Sequence, residues 1–138
     1  MSTLSVGTIK SVSSAAPVFQ NSSGSSMGQL TQGWVNFAGG NVNSFGIRNS
    51  NGVSSVTDHG SAEFTITFST AFANTNYAVV ACSSGDPSIH RAIGLIDGGS
   101  SGSSETTTTS CGMNNFSTSA GGSHEGSLEI GVAFFGDQ

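Results

Sequence analysis

The chain has 138 residues, which suffice for one modest hydrophobic core and not for two. Only 8% of its residues are charged, the net charge is −5, and the basic side chains are Lys10, Arg48 and Arg91. A phosphate-binding surface needs several clustered basic residues, so this composition argues against a nucleic-acid partner. No segment approaches the roughly 18 apolar residues of a membrane span, and the N-terminus lacks the pattern of a secretory signal, so we expect synthesis in a cytosol without membrane insertion.

The first 28 residues differ from the rest of the chain. Short apolar alternations, in residues 4–9 and at Val18 and Phe19, are separated by Ser-rich spacers. Such a segment cannot bury a core alone, so it must lie along another chain or another protein, or remain mobile. We therefore predict an extended N-terminal attachment arm over residues 1–28 and a globular domain over residues 29–138.

Alternating apolar residues divide the globular part into eight short strands separated by Gly, Asn and Asp. The predicted strands cover residues 32–37, 45–49, 53–58, 62–69, 77–83, 89–96, 106–113 and 127–135. Gly interrupts nearly every apolar run, and no window has helical periodicity. Although Gly and Ser are abundant, nine Phe and one Trp at alternating spacing argue against disorder. The sequence predicts an all-β fold, an antiparallel β-sandwich or a small jelly-roll.

The clearest hairpin lies in the middle of the chain. Phe64, Ile66 and Phe68 alternate with polar residues, the pattern of a strand with one buried face. Before this strand, residues 58–61 offer Asp58, which can accept a bond from its own backbone, and Gly60, which tolerates positive φ. These features predict a tight turn between two antiparallel neighbours.

The last predicted strand is apolar on both faces. Its first face carries Leu128, Ile130, Val132 and Phe134, and its second carries Gly131, Ala133 and Phe135. A domain of this size seldom needs a strand covered on both sides for its own core, so we expect one face to contact another subunit. The residues predicted at that subunit interface are Trp34, Phe37, Leu128, Ile130 and Phe135.

No arrangement of reactive groups points to catalysis or to a cofactor. The eight carboxylates are scattered, and turn capping explains Asp58, Asp86 and Asp97 better than acid–base chemistry does. The three histidines do not have zinc-ligand spacing. One weak metal alternative is His124 beside Glu125 on a threefold axis, against the default of a solvated loop histidine. We therefore expect no enzyme activity, no cofactor and no metal.

The two cysteines, Cys82 and Cys111, fall at the ends of predicted strands. The favoured interpretation is two buried thiols, since free cysteine behaves as a small apolar residue. A disulfide between them stays open as an alternative, although no export signal supports it.

Three small-residue polar connections are the predicted recognition loops, because function on a rigid β scaffold is carried by loops. An aromatic ring beside amide, carboxylate and hydroxyl groups is the usual composition of a glycan site. The candidate ligand-binding residues in and beside these loops are Asp86, His90, Arg91, Asn114, Asn115 and Phe116.

Several segments together resemble the tail-fibre and related virion proteins of marine tailed bacteriophages, especially those that infect cyanobacteria. They are MSTLSVGTIK at 1–10, PVFQNSS at 17–23, WVNF at 34–37, IR at 47–48, NGVSSVTD at 51–58 and GVAFFG at 131–136. Residues 64–82 also resemble the trimeric lectin-like β-sandwich domains of fibre tips. The chain departs from a full fibre in having only about thirty residues before the domain and no long shaft.

The resemblance implies a non-enzymatic virion protein of the tail-fibre type. It implies a homotrimer, made in the bacterial cytoplasm, whose β-domain attaches to polysaccharide on the host surface. Residues 1–28 would dock on other virion proteins of the tail or the capsid. The alternative is a capsid decoration, cement or head-fibre protein that stabilises the phage shell.

Overall fold

A computed structural model describes residues 6–10, 19–28, 30–39, 45–60, 62–84, 91–96, 106–117 and 129–137. The strands are β1 (Phe19–Gln20), β2 (Ser26–Gly28), β3 (Gly33–Ala38), β4 (Gly46–Asn51), β5 (Val53–Gly60), β6 (Glu63–Phe68), β7 (Ala78–Ser83), β8 (Arg91–Leu95), β9 (Ser110–Ser117) and β10 (Ile130–Phe135). Each of the eight strands predicted for the globular part overlaps one of β3 to β10. Within these ranges there is no helix long and apolar enough to cross a membrane.

Two four-stranded antiparallel sheets face each other as a β-sandwich. The first sheet has the order β4-β3-β10-β7 and the second has the order β5-β6-β9-β8. Strand β10 joins β3 to β7, and β9 joins β6 to β8, so strands far apart in sequence form the centre of each sheet. The predicted all-β antiparallel sandwich is confirmed.

Aromatic side chains fill the space between the sheets in two groups. At one end Phe37 meets Phe64 edge-on, with ring centroids 5.2 Å apart, and Phe45 lies beside both. At the other end Phe68 packs edge-on against Phe134 at 4.9 Å, and Phe72 and Tyr77 complete the group. Edge-to-face pairs add stabilisation beyond that of buried area, so these rings fix how the two sheets meet.

The predicted alternation of β10 is confirmed. Ile130, Val132 and Phe134 are buried between the sheets, whereas Gly131, Ala133 and Phe135 lie on the outer face and are partly accessible. The inner face is thus covered within the single chain, and the contact of the outer face with another subunit stays a prediction.

The turn between β5 and β6 lies two positions later than the predicted 58–61, although Asp58 and Gly60 have the conformational roles that were predicted. Strand β5 continues to Gly60, which pairs with Glu63. Gly60 has φ +79°, and its N–H donates to Asp58 Oδ1 at 2.8 Å. Thr65, expected on an open outer face, is buried, and its hydroxyl lies 2.7 Å from His59 Nε2. His59 thus covers the outer face of β6 at this point.

The threonine-rich segment before β9 is a connection rather than the predicted start of a strand. Thr107 Oγ1 accepts bonds from the N–H groups of Thr109 and Ser110, which bends the backbone. The carbonyls of Thr107 and Ser110 accept bonds from the Tyr77 hydroxyl at 3.0 and 3.1 Å. Strand β9 therefore starts at Ser110, and it continues to Ser117, four residues beyond the predicted end at Met113.

Tyr77→Phe is expected to lower the free energy of unfolding by about 1–2 kcal/mol, because the hydroxyl that donates to the carbonyls of Thr107 and Ser110 is lost. Burial raises the pKa of the Tyr77 phenol above its ordinary value. The phenol of Tyr77 therefore ionises at lower pH in the unfolded state than in the folded state. The stabilisation that the neutral phenol provides is complete below about pH 10 and is lost as the pH rises above it. Urea unfolding at about pH 8 and about pH 11 measures this loss, which should be smaller in Tyr77→Phe. An equal loss in both proteins would contradict this assignment.

Residues 19–28 of the N-terminal segment form a hairpin of their own. Strands β1 and β2 make a two-stranded sheet, and Asn21 Oδ1 accepts bonds from the N–H groups of Ser23 and Ser25 across the turn. Gly24 has φ +81°, which suits glycine at this turn. The Ser-rich spacer at 22–26 is therefore an ordered turn rather than a plain linker. The attachment role of residues 1–28 stays a prediction.

Both thiols are free, and they lie in different environments, one between the two sheets and the other on an outer surface of the sandwich. Cys111 is fully buried on the inner face of β9, and burial raises its thiol pKa. Cys82 is exposed on the outer face of β7. The prediction of two buried thiols is thus correct for Cys111 and wrong for Cys82, because position 82 falls on the outer phase of its strand.

A thiol reagent such as a disulfide dye is expected to label one cysteine in the native protein and both after unfolding. Cys82→Ser should then leave no rapidly reacting thiol, and Cys111→Ser should leave the fast phase unchanged. Rapid labelling of the Cys82→Ser protein under native conditions would contradict the burial of Cys111.

Candidate functional site

The outer face of the first sheet carries the only tryptophan of the chain. Trp34 lies in the centre of this sheet on β3, yet 37% of its surface is exposed. Beside it, Asn36, Gly131, Ala133, Val80 and Cys82 line a shallow groove. We call this surface the tryptophan face: Trp34, Asn36, Asn49, Asn51, Val80, Cys82, Glu129, Gly131 and Ala133.

The strand register arranges the tryptophan face in two rows. Directly paired residues of antiparallel strands place their side chains on the same face. One row runs across the sheet as Asn51, Trp34, Ala133 and Val80, and the next as Asn49, Asn36, Gly131 and Cys82. Small residues of β10 therefore form the floor, with the indole on one side and Val80, 62% exposed, on the other.

A polar network lies at one end of this groove. The Asn36 amide nitrogen donates to Glu129 Oε1 at 2.7 Å. The other carboxylate oxygen, Oε2, is 3.4 Å from a guanidinium nitrogen of Arg48. Arg48 reaches this position because a bulge in the pairing of β3 with β4 leaves it as the extra residue between Ile47 and Asn49. Both charged side chains are about half exposed, so the pair remains accessible to a ligand.

Glycine at position 131 keeps the groove open. A Cβ at this position would approach Cys82 Sγ to 3.2 Å and would occupy the floor between the two walls. Because the sulfur ends a short mobile side chain, the fold can tolerate this approach. Gly131 is therefore explained by the shape of the groove more than by backbone conformation.

The predicted ligand-binding residues do not form one site. Register places Asn114 and Phe116 on the outer face of the second sheet, where both lie against Gly94. Asn115, only 1% exposed, is on the inner face, where its Oδ1 accepts a bond from Ser83 of the first sheet. Arg91 is the first residue of β8. It lies on the same inner face as Asn115, because it is two positions from Ile93, which pairs with Asn115.

The three residues at 114–116 were expected in a loop but belong to β9. A strand sends consecutive side chains to opposite faces, so Asn115 cannot join its two neighbours in a common site. Asn115 is a structural residue that links the sheets. Asp86, His90 and the metal alternative His124 with Glu125 lie outside the described residues.

Two of the residues predicted at a subunit interface belong to the core. Phe37 is 0% and Ile130 is 2% exposed in the single chain, because both point between the sheets. They have no surface to offer a partner, and the prediction is wrong for them. Trp34 and Phe135 do lie on the outer face, and their burial between subunits stays a prediction. Leu128 is outside the described residues.

Sequence reasoning missed the polar part of the tryptophan face. Asn36 and Glu129 are 93 positions apart and meet only because β3 pairs with β10. The one available signal was the single tryptophan followed two positions later by Asn36, which places both on one face of a strand. Across the described ranges, no three His, Cys, Asp or Glu side chains come close enough to hold a metal ion.

Comparison of the chain with protein-family models, with curated proteins and with solved structures gives no match.

Proposed function

We propose that this chain is a non-enzymatic virion surface protein of the tail-fibre type that attaches to host-surface polysaccharide. The virion assignment is based on the sequence segments that resemble phage fibre proteins. The attachment role is supported by one observation above others: an exposed indole beside an open floor of small residues, with amide and carboxylate groups in reach.

The composition of the tryptophan face favours a saccharide over a subunit contact. Stable protein interfaces bury about 800 Å² on each partner and have an apolar centre. Trp34 and Val80 are the exposed large apolar side chains of the tryptophan face, three asparagines flank them, and Phe135 at the end of β10 is only partly accessible. Glycans, in contrast, combine apolar C–H patches with many hydroxyl groups, which this mixture complements. Assembly as a homotrimer would then use other surfaces.

Capsid decoration is the second proposal, and the separate β1–β2 hairpin is the observation that favours it. A hairpin whose strands pair only with each other, and not with the sheets of the sandwich, is suited to lie on another protein. Copy number per virion, measured by calibrated mass spectrometry, distinguishes the proposals. A few to tens of copies would support a tail location, and hundreds would support a capsid location.

The attachment proposal is tested by the binding of amine-labelled protein to host cells. Trp34→Ala should weaken binding by about 30-fold or more, the effect of losing a central aromatic contact. Leu95→Ala is the control, because Leu95 is an exposed apolar residue of the second sheet. Undiminished binding by folded Trp34→Ala would overturn the proposed role of this face.

A further inference from the structure

We infer that the tryptophan face binds an uncharged pyranose and discriminates against acidic sugars such as uronates. This inference rests on the proposed attachment role and adds the chemical class of the ligand. It is based on the dimensions of the groove, the groups at its polar end and the charge around it.

The dimensions fit one sugar ring held above the floor between the two walls. Neighbouring strands are about 4.8 Å apart, so the walls on β3 and β7 are separated by about 10 Å across β10. Trp34 and Asn36 are two residues apart on one strand, which places them about 7 Å apart along the groove. A pyranose above Ala133 and Gly131 would thus contact the indole on one side while its hydroxyl groups reach the Asn36 row.

The indole supplies an apolar platform for the ring. The face of an aromatic system carries partial negative charge and attracts the C–H groups of a sugar, which carry partial positive charge. Gly131 has no side-chain atom and Ala133 has only a methyl group, so a ligand can approach the sheet closely above both. Hexoses with several axial C–H bonds on one face fit this platform best.

The polar end supplies acceptors without an excess of positive charge. Glu129 accepts from Asn36 and is paired with Arg48, and both charges are accessible. A sugar hydroxyl can donate to this carboxylate in a charge-assisted bond, stronger than a bond between neutral groups. The three asparagines of the face add donors and acceptors that carry no charge.

A carboxylate on the sugar would be repelled by Glu129, and the attraction of Arg48 for it is offset by the ion pair that Arg48 makes with Glu129. The whole chain carries a net charge of −5, which adds a repulsive field for polyanions. The site therefore favours neutral over acidic saccharides of the same size.

Titration with neutral polysaccharide fragments and with size-matched uronate fragments tests the inference. Fluorescence of the single tryptophan reports binding, and protection of Cys82 from alkylation provides an independent readout at the groove. We expect saturable changes in both signals with at least one neutral fragment, and at least about tenfold weaker binding of uronates. Equal or tighter binding of uronates would overturn the inference.

Two variants locate the discrimination. Gly131→Ala should weaken binding as measured by the tryptophan signal while the protein stays folded, because its methyl group narrows the floor beside Cys82. Glu129→Gln should weaken neutral binding by about tenfold, the scale of one charge-assisted bond, and should reduce the discrimination against uronates. Unchanged selectivity in Glu129→Gln would contradict the role of this carboxylate. Gly46→Ala is a control, because an added Cβ there meets no atom within 4 Å.

The experiments separate this inference from the proposed function. Loss of cell binding in Trp34→Ala, together with absence of binding to every neutral fragment, would reject the ligand class and leave the attachment role standing. Cell binding that is independent of Trp34 would reject both. A rise in molecular mass that depends on Trp34, without sugar binding, would show that a second copy of the chain occupies the face, and would also reject the inference.

Discussion

Gly52→Ala is expected to lower the free energy of unfolding by about 2–5 kcal/mol. Gly52 connects β4 of one sheet to β5 of the other and has φ +66°. The left-handed conformation costs an alanine about 1–2 kcal/mol. A Cβ would also stand 2.4 Å from the backbone oxygen of Gln32, an overlap that requires a shift of the main chain and adds about 1–3 kcal/mol.

Gly60→Ala is the matched control for this prediction. Gly60 has a similar φ of +79°, but an added Cβ meets nothing within 4 Å. It should therefore show only the conformational cost of about 1–2 kcal/mol. Urea unfolding followed by circular dichroism measures the free energy of unfolding of both variants. Equal losses of this free energy would contradict the claim that a side chain at position 52 collides with the backbone of Gln32.

Phe134→Ala is expected to cost about 3–5 kcal/mol, the usual range for removing a buried aromatic side chain. Phe134 is 0% exposed and meets Phe68 of the opposite sheet, so its loss leaves a cavity where the sheets are joined. Tyr77 and Phe72 belong to the same ring cluster and cannot close the gap without breaking their own contacts.

The adjacent residue provides the comparison. Phe135 lies on the outer face of the same strand and is only partly buried, so Phe135→Ala should cost clearly less than Phe134→Ala in the same unfolding experiment. A larger cost for Phe135 would mean that the faces of β10 are assigned the wrong way round.

The fold was predictable because successive side chains of a strand point to opposite faces, so a strand with one buried face has apolar residues at every second position. The alternation of Phe64, Ile66 and Phe68 identified a strand and its buried side, whereas the alternation of Ile130, Val132 and Phe134 identified the strand but not which of its two apolar faces is buried in the single chain. Strand ends were less predictable. Threonines at 106–109 have high β propensity, but the Thr107 hydroxyl captures two backbone N–H groups and bends the chain there.

The candidate site was less predictable than the fold, because it depends on pairing between distant strands. The residues at 114–116 looked like a recognition loop, and only the register of β9 assigns Asn115 to the interior. Likewise, nothing local to Glu129 indicates that Asn36 is its partner. Alternation gives the face of a side chain, whereas its neighbours on that face follow from the strand order.

The most direct test of the central claim is to map the polysaccharide contact by nuclear magnetic resonance. The chain has one tryptophan, so its spectrum contains one indole N–H signal. During titration with host-surface polysaccharide, this signal and the backbone amides of Asn36, Gly131 and Ala133 should shift together, while those of Thr65 and Gly112 in the second sheet should not. Polysaccharide binding that moves the second-sheet signals and leaves the indole signal in place would contradict the account.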